Sequence, residues 1–112
     1  MTITERTSGV VIILDIAGKM LLGDGDVQFK RKVDELLEAG NNQIVVNLAE
    51  LPYMDAGGLG EIVRRYTATH RCGGKLKLLN VNQRVMGLLK TTKLVTVFEI
   101  FEDEPTAVES FN

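Results

Sequence analysis

Three short stretches hold residues that could do chemistry: Gly23-Asp24-Gly25-Asp26, Asp55-Ala56-Gly57-Gly58-Leu59-Gly60 and His70-Arg71-Cys72. The first pairs carboxylates with turn-forming glycines, the beginning of an oxygen cage for a hard cation such as calcium. The remaining ligands of such a loop are missing, so the stretch reads as a turn leading into a helix cap. The third holds the only histidine and the only cysteine of the chain. Nucleophilic catalysis needs a nucleophile, a base and an orienting group within hydrogen-bond reach. His70 and Cys72 near a helix end supply no such trio, and neither sits at metal-ligand spacing. His70 therefore reads as a surface or structural group and Cys72 as a small packed residue. No catalytic, cofactor-binding or metal residue is assigned, and the chain is not expected to be an enzyme.

The middle stretch is of another kind. It is not a phosphate-binding Walker loop, because no Gly-Lys-Ser/Thr follows, and it is not a dinucleotide fingerprint, which belongs after the first strand. Asp55 can cap a helix, and the small residues after it bring backbone amides close to anything that docks there. Three glycines at a helix start each cost about 0.5–1 kcal/mol relative to alanine, which suggests that close approach at this point is useful. The alternative is that the glycines only make a tight approach to a packed helix. The expected partner-contact residues are Asp55, Ala56, Gly57, Gly58 and Leu59, with Leu59 facing inward to anchor the helix.

The elements that must carry this stretch are legible in the apolar pattern. Val10 to Ile16 is β-branched and nearly continuous, which suits a strand covered on both faces, with Thr2 to Arg6 as an edge strand before it and Gly18 as its end. Phe29, Val33, Leu36 and Leu37 recur at helical spacing, and Gly40 stops that helix. Gln43 to Leu48 reads as a strand. The helix opened by Asp55 carries Leu59, Ile62, Val63, Tyr66 and Thr69 on one stripe, with Glu61 and Arg65 off it at i, i+4. Lys75 to Leu79 alternates like a half-exposed strand, and Asn80 or Asn82 caps a helix carrying Val85, Leu88 and Leu89. A strand is expected from Val95 to Phe101. Glu102-Asp103-Glu104-Pro105 then starts a terminal helix, since acids and proline both suit a first turn, and Val108 and Phe111 dock it. The order predicts an α/β fold, a mixed sheet with crossover helices packed on it.

Composition narrows the partners. With 13 basic and 15 acidic residues among 112, the net charge of −2 gives no positive field for nucleic acid phosphates or an anionic membrane. No apolar run approaches the roughly 20 residues that span a bilayer. The start of the chain, MTITERTSGV, lacks the layout of a signal peptide, and a lone cysteine forms no internal disulfide, so a cytoplasmic location is expected.

Pro52-Tyr53-Met54-Asp55-Ala56-Gly57-Gly58-Leu59-Gly60 resembles the Asp-Ser-Ser/Thr-Gly-Leu-Gly signature of STAS domains, specifically those of bacterial anti-sigma factor antagonists. The similarity extends to Gly18-Lys19, to Ile44 through Leu48, to Gly73-Gly74-Lys75-Leu76 and to Thr92-Lys93-Leu94 through Phe101. The resemblance implies a single STAS domain over residues 1–112, with a mixed sheet of four to five strands packed with about four helices. It implies as partner an anti-sigma factor of the kinase type, and through it regulation of sigma-factor-dependent transcription. A homodimer is allowed for; direct nucleic acid contact and membrane insertion are not expected.

In that family the second hydroxyl residue after the aspartate accepts a phosphoryl group, and phosphorylation abolishes binding. Here the acceptor position is Gly57, preceded by Ala56, and neither has a hydroxyl. The expectation is an antagonist without the usual serine switch. Two competing functions are a STAS scaffold subunit of a larger regulatory or lipid-transport complex, and a small-ligand sensor using a pocket beside the glycines.

Overall fold

The β-branched run near the start of the chain becomes the second strand of the sheet, covered on both faces. In the computed structural model, which describes residues 1–112, β1 (Thr2–Ser8) and β2 (Val11–Met20) form an antiparallel pair. β3 (Gln43–Met54), β4 (Lys75–Leu79) and β5 (Ile100–Phe101) then add in parallel, giving the spatial order β1-β2-β3-β4-β5. The crossovers are α1 (Gly25–Glu38), α2 (Ala56–Arg71) and α3 (Gln83–Thr91), and α4 (Glu104–Glu109) closes the chain. Five strands and four helices match the expected fold class.

Register divides the strand side chains between two faces. Ile12, Leu14, Ile44, Val46, Leu76 and Leu78 point to one side, where they meet Phe29, Val33 and Leu36 of α1, Leu59 and Ile62 of α2, and Val85 and Leu89 of α3. Burial of this cluster is the main stabilising contribution, at about 25 cal/mol per Å² of apolar surface removed from water. On the opposite side Val11, Ile13, Val45 and Leu79 are covered by Ala107, Val108 and Phe111 at the α4 end of the chain. Lys77 shares this face and is fully buried. Its ammonium donates to the Ser110 hydroxyl at 2.8 Å and the Ser110 carbonyl at 3.1 Å, and lies 4.3 Å from the Phe111 ring centre.

The rest of the second face is polar. The Asn80 amide donates to Asn47 at 3.1 Å and the Asn47 amide to Asp15 at 2.8 Å. Arg6 donates to both Asp15 oxygens at 2.5 and 2.9 Å, and reaches Glu104 at the start of α4 at 2.6 Å. Hydrogen bonding and charge from Arg6 hold the Asp15 carboxyl below its ordinary range. The result is one ladder of side chains running from the residue after β4 across β3, β2 and β1 into α4.

Several boundaries depart from the pattern-based expectation. β2 does not stop at Gly18, which adopts φ +100 beside a register shift and lets the strand continue to Met20. β3 likewise runs past Leu48 to Met54, and Pro52 falls where β3 has β2 alone as a neighbour. The strand expected from Val95 to Phe101 shrinks to Ile100–Phe101. Val95 to Phe98 form turns, and Phe98 is buried with its ring 5.0 Å from that of Tyr66 at 69°. Phe98, with Leu94 and Val95 packed beside it, serves the core as a docked turn, while Val97 is exposed. Cys72 is exposed at the end of α2 rather than packed.

Candidate functional site

Met20 and Met54 stand opposite each other in register, so the parallel strands β2 and β3 end at the same rim. Loops leaving the carboxyl ends of parallel strands are the usual place for recognition in α/β sheets. After Met20 the chain enters the short segment 21–24 and then α1; after Met54 it enters α2 directly through Asp55.

Asp55 joins the two exits. One carboxylate oxygen accepts from the Gly58 amide at 2.8 Å, the helix cap expected from sequence, and the other accepts from the Leu22 amide at 3.1 Å. The Asp55 amide itself donates to the Met20 carbonyl at 3.2 Å. The Gly58 amide first, and the Leu22 amide second, hold the Asp55 carboxyl below its ordinary range.

The five residues singled out in sequence divide by exposure. Ala56 is exposed and Asp55 and Gly57 are half-buried, whereas Gly58 and Leu59 are buried. Leu59 faces inward and anchors α2. The close approach that the glycines permit is made within the chain itself. A Cβ on Gly58 would lie 2.4 Å from the Met20 carbonyl oxygen, and one on Gly57 would lie 2.6 Å from the Leu22 Cβ. Gly58 lets α2 press against the end of β2, and Gly57 lies beneath Leu22. Of the five, the exposed surface is formed by Ala56 with the edges of Asp55 and Gly57.

Leu22 was not among the sequence-derived candidates. Its side chain is 70% exposed on the rim, next to Leu21, and Tyr53 is a further exposed apolar residue there, with Arg84 5.7 Å from its ring centre. Consecutive leucines ahead of a Gly-Asp-Gly-Asp turn were the available signal, because a surface turn has little use for them otherwise. Asp26, in that same turn, spends one oxygen on the Gly23 and Val27 amides at 2.8 Å each. His70 and Cys72 are exposed at the far end of α2, about 23 and 26 Å along the helix from Asp55 at about 1.5 Å per residue. The rim thus has hydrogen-bonded backbone, a capped helix and apolar side chains, an arrangement suited to binding.

A family model, the STAS domain, matches residues 2–107. The chain is 32% identical over 89 residues to the anti-sigma-B factor antagonist of Bacillus subtilis, covering 80% of each chain. It is 29% identical over 99 residues to the anti-sigma F factor antagonist of Paenibacillus polymyxa, covering 88% of this chain and 84% of that one. Among solved structures, a candidate anti-sigma factor antagonist from Thermotoga maritima superposes with a TM-score of 0.87 at 28% identity, covering 97% of this chain and 93% of the other.

Proposed function

The chain belongs to the STAS domain family, and on that premise we propose that it is an anti-sigma factor antagonist that holds its partner without a phosphorylation switch. The partner is an anti-sigma factor of the kinase type in the cytoplasm, and the chain acts by occupying it, with no catalysis of its own. The contact surface is Ala56 with Asp55 and Gly57, positioned by Gly58 and Leu59 and extended by Leu22. The antagonist names of its relatives support the general function.

The observation that carries the switchless reading is the pair Ala56-Gly57 following a fully engaged Asp55. A phosphoryl group brings about −1.5 to −2 charges at neutral pH, enough to repel or remodel an apolar contact, and neither residue can carry one. Further along α2 the Thr67 and Thr69 hydroxyls donate to the Val63 and Arg65 carbonyls, away from the rim.

The test is capture of an ATP-binding anti-sigma factor on the immobilised chain, followed by titration of the purified pair with and without magnesium ATP. Equal affinity in both conditions, with no phosphate on residues 55–60 by mass spectrometry, is the expected result. Phosphate on Thr91 or Thr92 accompanied by release would overturn the switchless part, and capture of no anti-sigma factor would overturn the whole. The missing hydroxyls also favour a second reading, a scaffold subunit of a larger complex. Assembly into large particles on size exclusion would select it.

A further inference from the structure

Leu22 stands where the side chain of residue 57 would go. A Cβ built on Gly57 meets the Leu22 Cβ at 2.6 Å, Cδ1 at 2.9 Å and Cγ at 3.2 Å. The nearest of these is the atom attached directly to the backbone, so a rotamer change at Leu22 does not clear the space. The backbone beneath it is held as well, because the Leu22 amide donates to Asp55 and the Asp55 amide donates to Met20. Asp55 therefore fixes both the helix start that presents position 57 and the loop that covers it.

We infer that Leu22 closes position 57 to any side chain, so that the phosphorylation switch is shut twice, once by the missing hydroxyl and once by packing. This rests on the antagonist reading above and adds to it a residue that sequence comparison of the signature alone would pass over. Its consequence is that restoring the hydroxyl is not enough. Gly57→Ser places a Cβ and Oγ into occupied volume, displacing the Leu22 loop or the first turn of α2. Leu22→Ala would not relieve the contact, since alanine keeps the offending Cβ. Leu22→Gly removes it.

With both changes made, the reaction available is phosphoryl transfer from ATP held by the kinase-type partner. The serine Oγ forms the new bond to the γ-phosphorus, the bond from that phosphorus to the ADP oxygen breaks, and the hydroxyl proton passes to a base on the kinase.

Four proteins decide the matter: the native chain, Gly57→Ser, Leu22→Gly and the double variant. Thermal unfolding of all four needs no partner. Gly57→Ser is expected to lower the Tm of the native chain, and to lower that of the Leu22→Gly background by less than half as much. Equal shifts in the two backgrounds would overturn the inference while leaving the antagonist reading intact. The four are then incubated with magnesium ATP and the anti-sigma kinase captured by the native chain, and intact mass is recorded. The double variant is expected to take up phosphate at least tenfold faster than Gly57→Ser. With the kinase at concentrations that saturate its binding to each variant, similar uptake by both, or none by either, would overturn the claim that packing shuts the switch. Failure of the native chain to capture any anti-sigma kinase would instead count against the antagonist reading, and the unfolding cycle would still decide the role of Leu22.

Discussion

The Leu22 amide and the Asp55 carboxylate, 3.1 Å apart, tie the exit of β2 to the start of α2, beside the bond from the Asp55 amide to the Met20 carbonyl. The same carboxylate caps α2 through Gly58. Asp55→Ala removes both bonds at once, so it should lower stability and weaken partner binding together, as read by chemical denaturation and titration. Asp55→Asn keeps an acceptor oxygen and should fall between.

The charge of Asp55 also sets a pH dependence. Its folded-state pKa lies below the value of about 3.9 for a free aspartate. The group therefore contributes stability that is present above about pH 4 and is lost as pH falls through the lowered folded value. Unfolding midpoints of the native chain should drop between about pH 5 and pH 2 more steeply than those of Asp55→Asn. Parallel profiles would remove Asp55 from the acid-sensitive set, leaving Asp15, Asp34 and Asp103, whose carboxyls are also held low.

Gly58 and Ala56 should differ in their tolerance of a small addition. Gly58→Ala drives a methyl group into the Met20 carbonyl and should cost about 1–3 kcal/mol, the usual penalty for overpacking. Ala56→Ser adds an oxygen to an exposed position and should change stability by less than about 0.5 kcal/mol. Denaturant midpoints for the two variants give the comparison directly.

Phe98 sits in a turn, yet it should behave as a core residue. Its ring is buried edge-on against Tyr66, and Phe98→Ala should cost about 3–5 kcal/mol, like any buried aromatic truncation. A loss below about 1 kcal/mol in urea unfolding would show that the turn is not tightly docked.

Arg65 lies between α1 and α2. It donates to Glu61 at 2.8 Å and pairs with Asp34 of α1, while Arg64 also reaches Glu61 at 3.1 Å. Glu61 is buried, so Arg65→Ala leaves a desolvated carboxylate with only its more exposed partner and should cost about 3 kcal/mol. Adding Glu61→Gln should recover part of that loss in the same denaturation assay, because it removes the uncompensated charge.

What the sequence made legible was local. The capping role of Asp55, a cap for α3 at Asn80 or Asn82, the Glu61–Arg65 pair and the inward face of Leu59 all follow from spacing within one element, and the structure has each, with Asn82 as the α3 cap. The misread strand at Val95 to Phe98 had the same apolar letters as a true strand, because apolar content reports burial and not hydrogen-bonding partners. Glu61 was placed off the apolar stripe, but Arg64 and Arg65 let it be buried. Leu22 stayed hidden for a different reason. Its contact with Gly57 exists only because β2 and β3 are neighbours, a pairing that no local pattern encodes.

The ladder from Asn80 through Asn47 and Asp15 to Arg6 and Glu104 bears on where another molecule can settle. Its members hold one another in place while the Arg6, Asp15 and Glu104 side chains keep part of their surface open, so water or a polar visitor can still use their remaining lone pairs and N–H edges. A greasy visitor gains nothing on that flank, and such traffic is left to the leucine-tipped rim at the strand ends.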